Sequence, residues 1–272
     1  MIGLGFGNFQ SGGGGFDPDA QAFITAAGIT GETQQAAINQ LVLDLKGTGS
    51  TTNNSDLWTS KIHAFYPTCP IDDSTATLIA CSFNLRDVSR HQITWNNSPT
   101  VSVSGVTGNG FNQYGDTGYN ILTNGTLNNS HFSSYKDISW DNTSNFWGTR
   151  VGGLVFETTF DPPSKAFSTM YNTSTGRLIA SISNGTGVKY RITISRTSSS
   201  SNVIYENGAS VGSNATSGGT LPNATAWLLG SNGLGGYDDS TVQCASLGLG
   251  LTANEAKDLD DAIQTFNTTL GR

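Results

Sequence analysis

Val203-Ile204-Tyr205-Glu206-Asn207-Gly208 decides the fold class. Two β-branched residues and an aromatic run into Asn-Gly, the dipeptide that accepts positive φ at both central positions of a tight hairpin turn. The segment predicts a strand that doubles back on itself. Residues 188–195 just upstream have the same texture. So do the runs at 77–83, 92–95, 100–103, 132–138, 153–160, 167–171, 178–182, 226–229 and 242–247. Gly, Asn and Ser clusters separate these short runs, and no helical pattern falls between them. Eleven short strands without intervening helices predict an antiparallel sandwich.

Outside this region the period changes. Asp17 precedes Pro18, the favoured order for an N-cap and a first helical position. A first helix carrying Ala22, Phe23 and Ala26 then ends at Gly28. Thr30 is placed to cap a second helix, in which Ala37, Ile38, Leu41, Val42 and Leu45 make one apolar stripe before Gly47. Near the end, Thr252-Ala253-Asn254-Glu255 spells a capping box. The stripe Ala256, Leu259, Ala262, Ile263, Phe266 follows it, and this last helix is expected to pack near the second. Residues 1–16 read as a Gly-rich arm, 17–47 as a helical segment, and 48–272 as a sandwich with a closing C-terminal helix.

Composition sets limits. Ser 31, Thr 34, Asn 24 and Gly 34 make up 123 of 272 residues, and only 12% are charged. Helix bundles and coiled coils need Ala, Glu, Lys and Leu in bulk, so both are excluded. A net charge of −7 with no adjacent basic residues argues against nucleic acid, whose phosphates require grouped Lys and Arg. No apolar run is long enough to span a membrane. The start has no basic region followed by an apolar stretch, so no signal peptide is expected. Cys69, Cys81 and Cys244 are read as buried small hydrophobes of a chain made in a reducing cytoplasm. Phe6, Phe9 and Phe16 are the only large side chains of the arm besides Met1, Ile2 and Leu4, and their spacing suits pockets on a partner.

Catalytic signatures are sparse. Glycoside hydrolysis uses two carboxylates roughly 5 to 10 Å apart. The chain has four Glu, at 32, 157, 206 and 255, and none starts a Glu-x-Asp-x-x-Glu strand. Gly208-Ala209-Ser210-Val211-Gly212 matches a nucleophile elbow in letters only, since no helix and no His follow it. His63, His91 and His131 lie on separate segments without zinc-type spacing. The loops 109–120 and 235–239 offer oxygen ligands of the kind calcium takes. They are also candidates for sugar contact, through Tyr114, Asp116, Asn120, Tyr237, Asp238 and Asp239. Trp140, Asp141, Asn145 and Trp147 form a second cluster of aromatic, carboxylate and amide groups.

Several stretches carry a resemblance. They are residues 22–30 (AFITAAGIT), 33–39 (TQQAAIN), Leu57-Trp58-Thr59 with Phe65-Tyr66-Pro67, Phe83-Asn84-Leu85, and the close 266–272 (FNTTLGR). Together they resemble bacteriophage structural proteins that carry a concanavalin A-like lectin/glucanase sandwich, frequent in phages of Bacteroidetes. The resemblance implies an all-β-dominated, jelly-roll sandwich and a virion protein: a fibre, decoration or tail-tip component. On that reading Phe6, Phe9 and Phe16 anchor the chain to other virion proteins. It is then a homo-oligomer, a trimer by preference, made in the host cytoplasm without a signal peptide and displaying a lectin-like domain to host surface glycans. No catalytic residue, no enzymatic activity and no cofactor beyond calcium are expected. The alternative is a polysaccharide-degrading glycoside hydrolase of the glucanase-like sandwich type.

Overall fold

The computed structural model describes residues 15–137, 145–161, 165–172, 177–182, 189–216 and 218–272. Seventeen strands are present among them. In chain order they are β1 (Ile62–Tyr66), β2 (Thr94–Asn96), β3 (Thr100–Ser102), β4 (Gly105–Thr107), β5 (Tyr114–Asn120) and β6 (Ser130–Asp137). Then come β7 (Asn145–Val151), β8 (Leu154–Asp161), β9 (Lys165–Asn172), β10 (Leu178–Ser181), β11 (Lys189–Ser198) and β12 (Ser201–Glu206). The last are β13 (Ala209–Asn214), β14 (Thr225–Leu228), β15 (Gly230–Asn232), β16 (Gly236–Tyr237) and β17 (Thr241–Gly248). Four helices accompany them: α1 (Pro18–Ala27), α2 (Glu32–Leu45), the single turn α3 (Ile121–Asn124) and α4 (Ala253–Thr269).

The strands form two sheets. Sheet one runs β13-β12-β11-β6-β17-β4-β3, with β1 also paired to β17. Sheet two runs β10-β9-β8-β7-β14-β5-β2, with β15 and β16 added beside β7. The pairing is antiparallel except for β15 on β7. This is an antiparallel jelly-roll sandwich with two N-terminal helices and one C-terminal helix. The interior between the sheets holds Phe132, Trp147, Phe156, Tyr171, Ile192, Ile194, Ile204 and Leu247. Phe156 stacks on Phe132 at 5.7 Å and on Tyr171 at 5.4 Å.

Sheet one is covered on both faces. Its second face carries Phe65, Tyr135, Tyr205 and Cys244, and the three long helices bury it with Phe23, Leu41, Leu45, Leu259, Ile263 and Phe266. As the stripes predict, α2 packs on α4. Local chemistry sets the helix ends. The Asp17 carboxylate accepts from Asp19 N at 3.0 Å, and Gly28 closes α1 at φ 67°. Thr252 and Glu255 complete the capping box. Gly31, not Thr30, occupies the cap position of α2. The hairpin also stands: Asn207 (φ 52°) and Gly208 (φ 75°) turn β12 into β13.

Two expectations about strands fail. Residues 77–83 form turns and a short 3₁₀ segment, Ala80–Ser82. There the Thr77 hydroxyl accepts from Ala80 N at 3.1 Å and Ile79 points to solvent. A hydroxyl that satisfies the backbone locally competes with ladder pairing. Conversely, half of the supposed loop 109–120 is strand β5.

His131 on β6 illustrates how tightly the interior is satisfied. Its Nδ1 lies 2.6 Å from the Leu249 carbonyl and its Nε2 lies 2.9 Å from Ser246 Oγ. Burial holds its pKa down to about 4, against the opposing pull of the Leu249 carbonyl. In the unfolded chain it titrates near 6.5. The unfolded state therefore takes up the proton first as the pH drops. This contribution is fully present above pH 6.5, is lost between 6.5 and 4, and amounts to roughly 3 kcal/mol. Urea unfolding at pH 7.5 and pH 4.5 should show a larger acid loss for the native chain than for His131→Phe, by about that amount.

Candidate functional site

Helices cover sheet one, and among the described residues no helix lies on the outer face of sheet two. Strand alternation decides what appears there. On β5, Gly115, Thr117 and Tyr119 point inward and Tyr114, Asp116 and Gly118 point outward. On β14, Ala226 and Leu228 are inward and Trp227 is outward. The register places Trp227 opposite Asp116 on one side and Gly148 on the other, and Gly148 opposite Glu157. Tyr114 stacks on the Trp227 indole, 3.7 Å between centroids and 17° between planes. Tyr237, from β16, lies 6.1 Å from Tyr114 in a tilted arrangement. The result is a half-buried, stacked aromatic platform with a carboxylate at its edge; each ring gives one face to the other, and Trp227 Nε1 is buried. Asp116 spends Oδ1 on the Gly118 amide at 2.9 Å, which fixes the side chain and leaves its other oxygen facing outward. Beyond the indole, Gly148 is buried, with backbone packed where a side chain would stand. Its φ of 129° suits only glycine, and a Cβ would meet the Phe156 carbonyl at 2.1 Å.

Opposite Gly148 on β8 lies Glu157, which is buried. Its Oε1 accepts from Arg150 at 2.6 Å and its Oε2 from Ser231 Oγ at 2.7 Å. Asp116 and Glu157 share this face, but three strand spacings of ~4.8 Å separate their backbones by roughly 14 Å. Acid-and-nucleophile chemistry needs the two carboxyls within roughly 5 to 10 Å. With Glu157 buried and already paired, the face is built to hold a ligand rather than to deploy a carboxylate pair.

The structure thus brings Tyr114, Asp116 and Tyr237 together and adds Trp227, which sequence reading missed. Asn120 sits on the same strand but caps α3, accepting from Leu122 N at 2.9 Å. Two expected contact residues belong to the interior instead. Trp147 and Asp238 are fully buried. The Asp238 Oδ2 accepts from Lys136 Nζ at 2.8 Å, from Trp147 Nε1 at 2.5 Å and from Ser240 Oγ at 2.7 Å. A carboxylate so engaged is unavailable to a ligand. Asp239, next to it, is half-buried. Trp140 and Asp141 lie outside the described residues, as do Phe6 and Phe9. Phe16 is partly exposed just before α1. Among the described residues, no group of three or more His, Cys, Asp or Glu is arranged around a common point as a metal site would require.

A second concave site joins segments that looked unrelated in the sequence. A cavity of about 400 Å³ is lined by residues of β1, β5, α3 and the 86–91 segment. His63 and His91 both reach it, on either side of Tyr119. His63 sits at a bulge, where the pairing of β1 with β17 shifts register between Ile62 and Ala64. Bulges re-aim side chains in this way. Its Nδ1 is 2.9 Å from the Tyr119 hydroxyl, which donates to the Asn124 carbonyl at 2.8 Å. His91 is held at φ 55°, an uncommon conformation for a non-glycine residue.

No protein-family model matches this sequence, and no curated protein matches it. Solved structures do. A mutant of Trypanosoma rangeli sialidase displaying trans-sialidase activity matches at 13% identity and a TM-score of 0.54, covering 85% of this chain and 38% of that one. The Trypanosoma rangeli sialidase with 2,3-difluorosialic acid as a covalent intermediate matches at 13% identity and a TM-score of 0.51, covering 73% of this chain and 32% of that one. Domain 4 of an extracellular GH43 arabinanase from Geobacillus stearothermophilus, in complex with arabinotriose, matches at 16% identity and a TM-score of 0.45, with coverages of 62% and 81%. The chain spans about a third of the length of the sialidases it matches. At such identities the likeness is one of fold.

These neighbours correct two expectations. A virion structural protein is not what the fold matches; the sialidases that share it are carbohydrate-active enzymes. The expectation of no enzymatic activity falls to the same finding, and the hydrolase alternative is the better supported of the two readings.

Proposed function

We propose that this chain is the glycan-holding part of a carbohydrate-active protein of the glycoside hydrolase kind, and that the outer face of sheet two is where the glycan lies. The observation that carries the reading is the Tyr114–Trp227 stack with Asp116 at its edge on the uncovered face. A pyranose ring has an apolar C–H face and a rim of hydroxyls. The aromatic platform takes the first, and the outward oxygen of Asp116 accepts from the second in a charge-assisted bond. Arg150, partly exposed on β7, offers further donors. Fold alone does not assign function; the sialidase likeness supports the class of ligand, and this face supplies the chemistry.

Native affinity electrophoresis against soluble polysaccharides tests the proposal, with arabinan, mixed-linkage β-glucan, xyloglucan and a sialylated glycoprotein as the panel. Retardation by at least one member is expected. Unretarded migration across the whole panel would overturn the reading.

A further inference from the structure

The cavity beside Tyr119 collects cationic and polar groups that this acidic chain otherwise spreads thinly. Two of its seven arginines, Arg86 and Arg90, and two of its three histidines line it. Among the described residues neither arginine forms an ion pair. Arg86 is nevertheless fixed in place. Its Nε donates to the Trp58 carbonyl at 3.0 Å and its guanidinium lies over the Trp58 ring at 5.1 Å. That clamp leaves both terminal nitrogens to face a ligand. Arg90 is exposed at the mouth. Asp87 is the single acidic group among the lining residues, and its Oδ1 is occupied by the Ser89 amide and hydroxyl at 3.0 and 2.7 Å.

The histidines add no charge at neutral pH. Burial holds His63 below the ordinary value, against the Asn124 carbonyl, and the neighbouring His91 and Arg86 press it further down. Burial likewise lowers His91, opposed by the Gly118 carbonyl. The lining therefore carries one net positive charge at pH 7, from two arginines and one aspartate. Around that charge stand the neutral His63 and His91 rings and the Asn124 amide oxygen; the Tyr119 hydroxyl is engaged by His63 and the Asn124 carbonyl, and Asn124 Nδ2 donates to the Asn120 carbonyl and Thr123 Oγ1.

We propose that this cavity binds a small polyhydroxylated carboxylate of the uronic acid class, with Arg86 and Arg90 gripping the carboxylate and the His63 and His91 rings and the Asn124 amide oxygen meeting the hydroxyls. A guanidinium matches a carboxylate through two parallel hydrogen bonds, which a neutral sugar cannot reproduce. About 400 Å³ accommodates one sugar ring, not a long chain. The free acid and the charged end of an acidic oligosaccharide present the same chemistry. The site is separate from the aromatic platform and does not depend on the reading of that face.

Isothermal titration of the intact protein with D-glucuronate, D-glucose and the methyl ester of glucuronic acid tests it. Glucuronate is expected to bind at least tenfold more tightly than either neutral compound. Arg90→Gln and Arg86→Lys should each weaken glucuronate at least tenfold, Arg90→Gln with an unchanged melting temperature because its side chain is exposed, whereas Trp227→Ala should leave binding unaltered. Arg86→Lys keeps the charge but removes the fork and the bond to the Trp58 carbonyl, so the exposed Arg90→Gln is the variant that separates loss of binding from loss of fold. Tetragalacturonate separates the two sources. Tighter binding than galacturonate assigns a glycan end, equal binding assigns the free acid, and either agrees with the proposal. Equal affinity for glucuronate and glucose, indifference to both arginine variants, or no binding of glucuronate would each overturn it.

Discussion

Lys136→Met is expected to lower the unfolding free energy by about 3–5 kcal/mol, the usual cost of stranding one member of a buried ion pair. Lys136 and Asp238 are both fully buried, 2.8 Å apart, between the sheets. Burial pushes the Lys136 pKa down, while the Asp238 carboxylate beside it opposes that shift. The ammonium also sits 4.8 Å from the centre of the Trp147 ring. Removing the ammonium leaves Asp238 with Trp147 Nε1 and the Ser240 donors but no countercharge. Removing both charges together, as in Lys136→Met with Asp238→Leu, is expected to restore most of the loss, because two well-packed apolar groups need no compensation. Urea unfolding at pH 7 for the two single variants and the double variant measures the coupling. Additive losses in the double variant would show that the pair does not act as a unit.

The second large effect concerns the ligand face. Trp227→Ala should weaken glycan binding by roughly 5- to 150-fold, the about 1–3 kcal/mol that stacking of a flat ring on an aromatic side chain contributes for nucleobases. Tyr114→Ala should follow it, since Tyr114 holds the indole flat from 3.7 Å away. Trp227→Phe retains a ring and should recover much of the affinity. Asp116→Asn keeps the shape and the Gly118 contact but loses the charge, so a smaller loss is expected. Affinity electrophoresis with the retained polysaccharide reads all four. If Trp227→Ala migrates like the native chain in its presence, the platform is not the binding surface.

The parts of this fold that sequence made legible are those whose chemistry is local. Asp17-Pro18, Gly28, Thr252 with Glu255, and Asn207-Gly208 each determine backbone geometry within a few residues, and each appears as read. Strand β5 was opaque because its glycines imitate a loop. Gly115 stays bare because Trp95 and Ile93 pack over it, and a Cβ there would lie 2.6 Å from the Trp95 ring. That demand comes from β2, twenty residues away. Residues 77–83 misled in the opposite sense: their apolar and β-branched content suggested a strand, yet Thr77 bonds its own turn. The site divides along the same line. Tyr114 and Asp116 were visible as an aromatic beside a carboxylate, whereas Trp227 joins them only through the β5–β14 register. His63, His91 and Tyr119 meet only because β1 ends one sheet next to β5 of the other, and no spacing in the chain encodes that.

The central claim is that a glycan lies on the Tyr114–Trp227 platform. Two-dimensional NMR of the tryptophan indole N–H groups during titration with an oligosaccharide of the retained polymer tests it most directly, with Trp227→Phe identifying the Trp227 signal. The account predicts that the Trp227 indole shifts in a saturable way while the buried Trp147 and Trp58 signals stay in place. Saturable binding that moves other signals and leaves Trp227 where it was would contradict it.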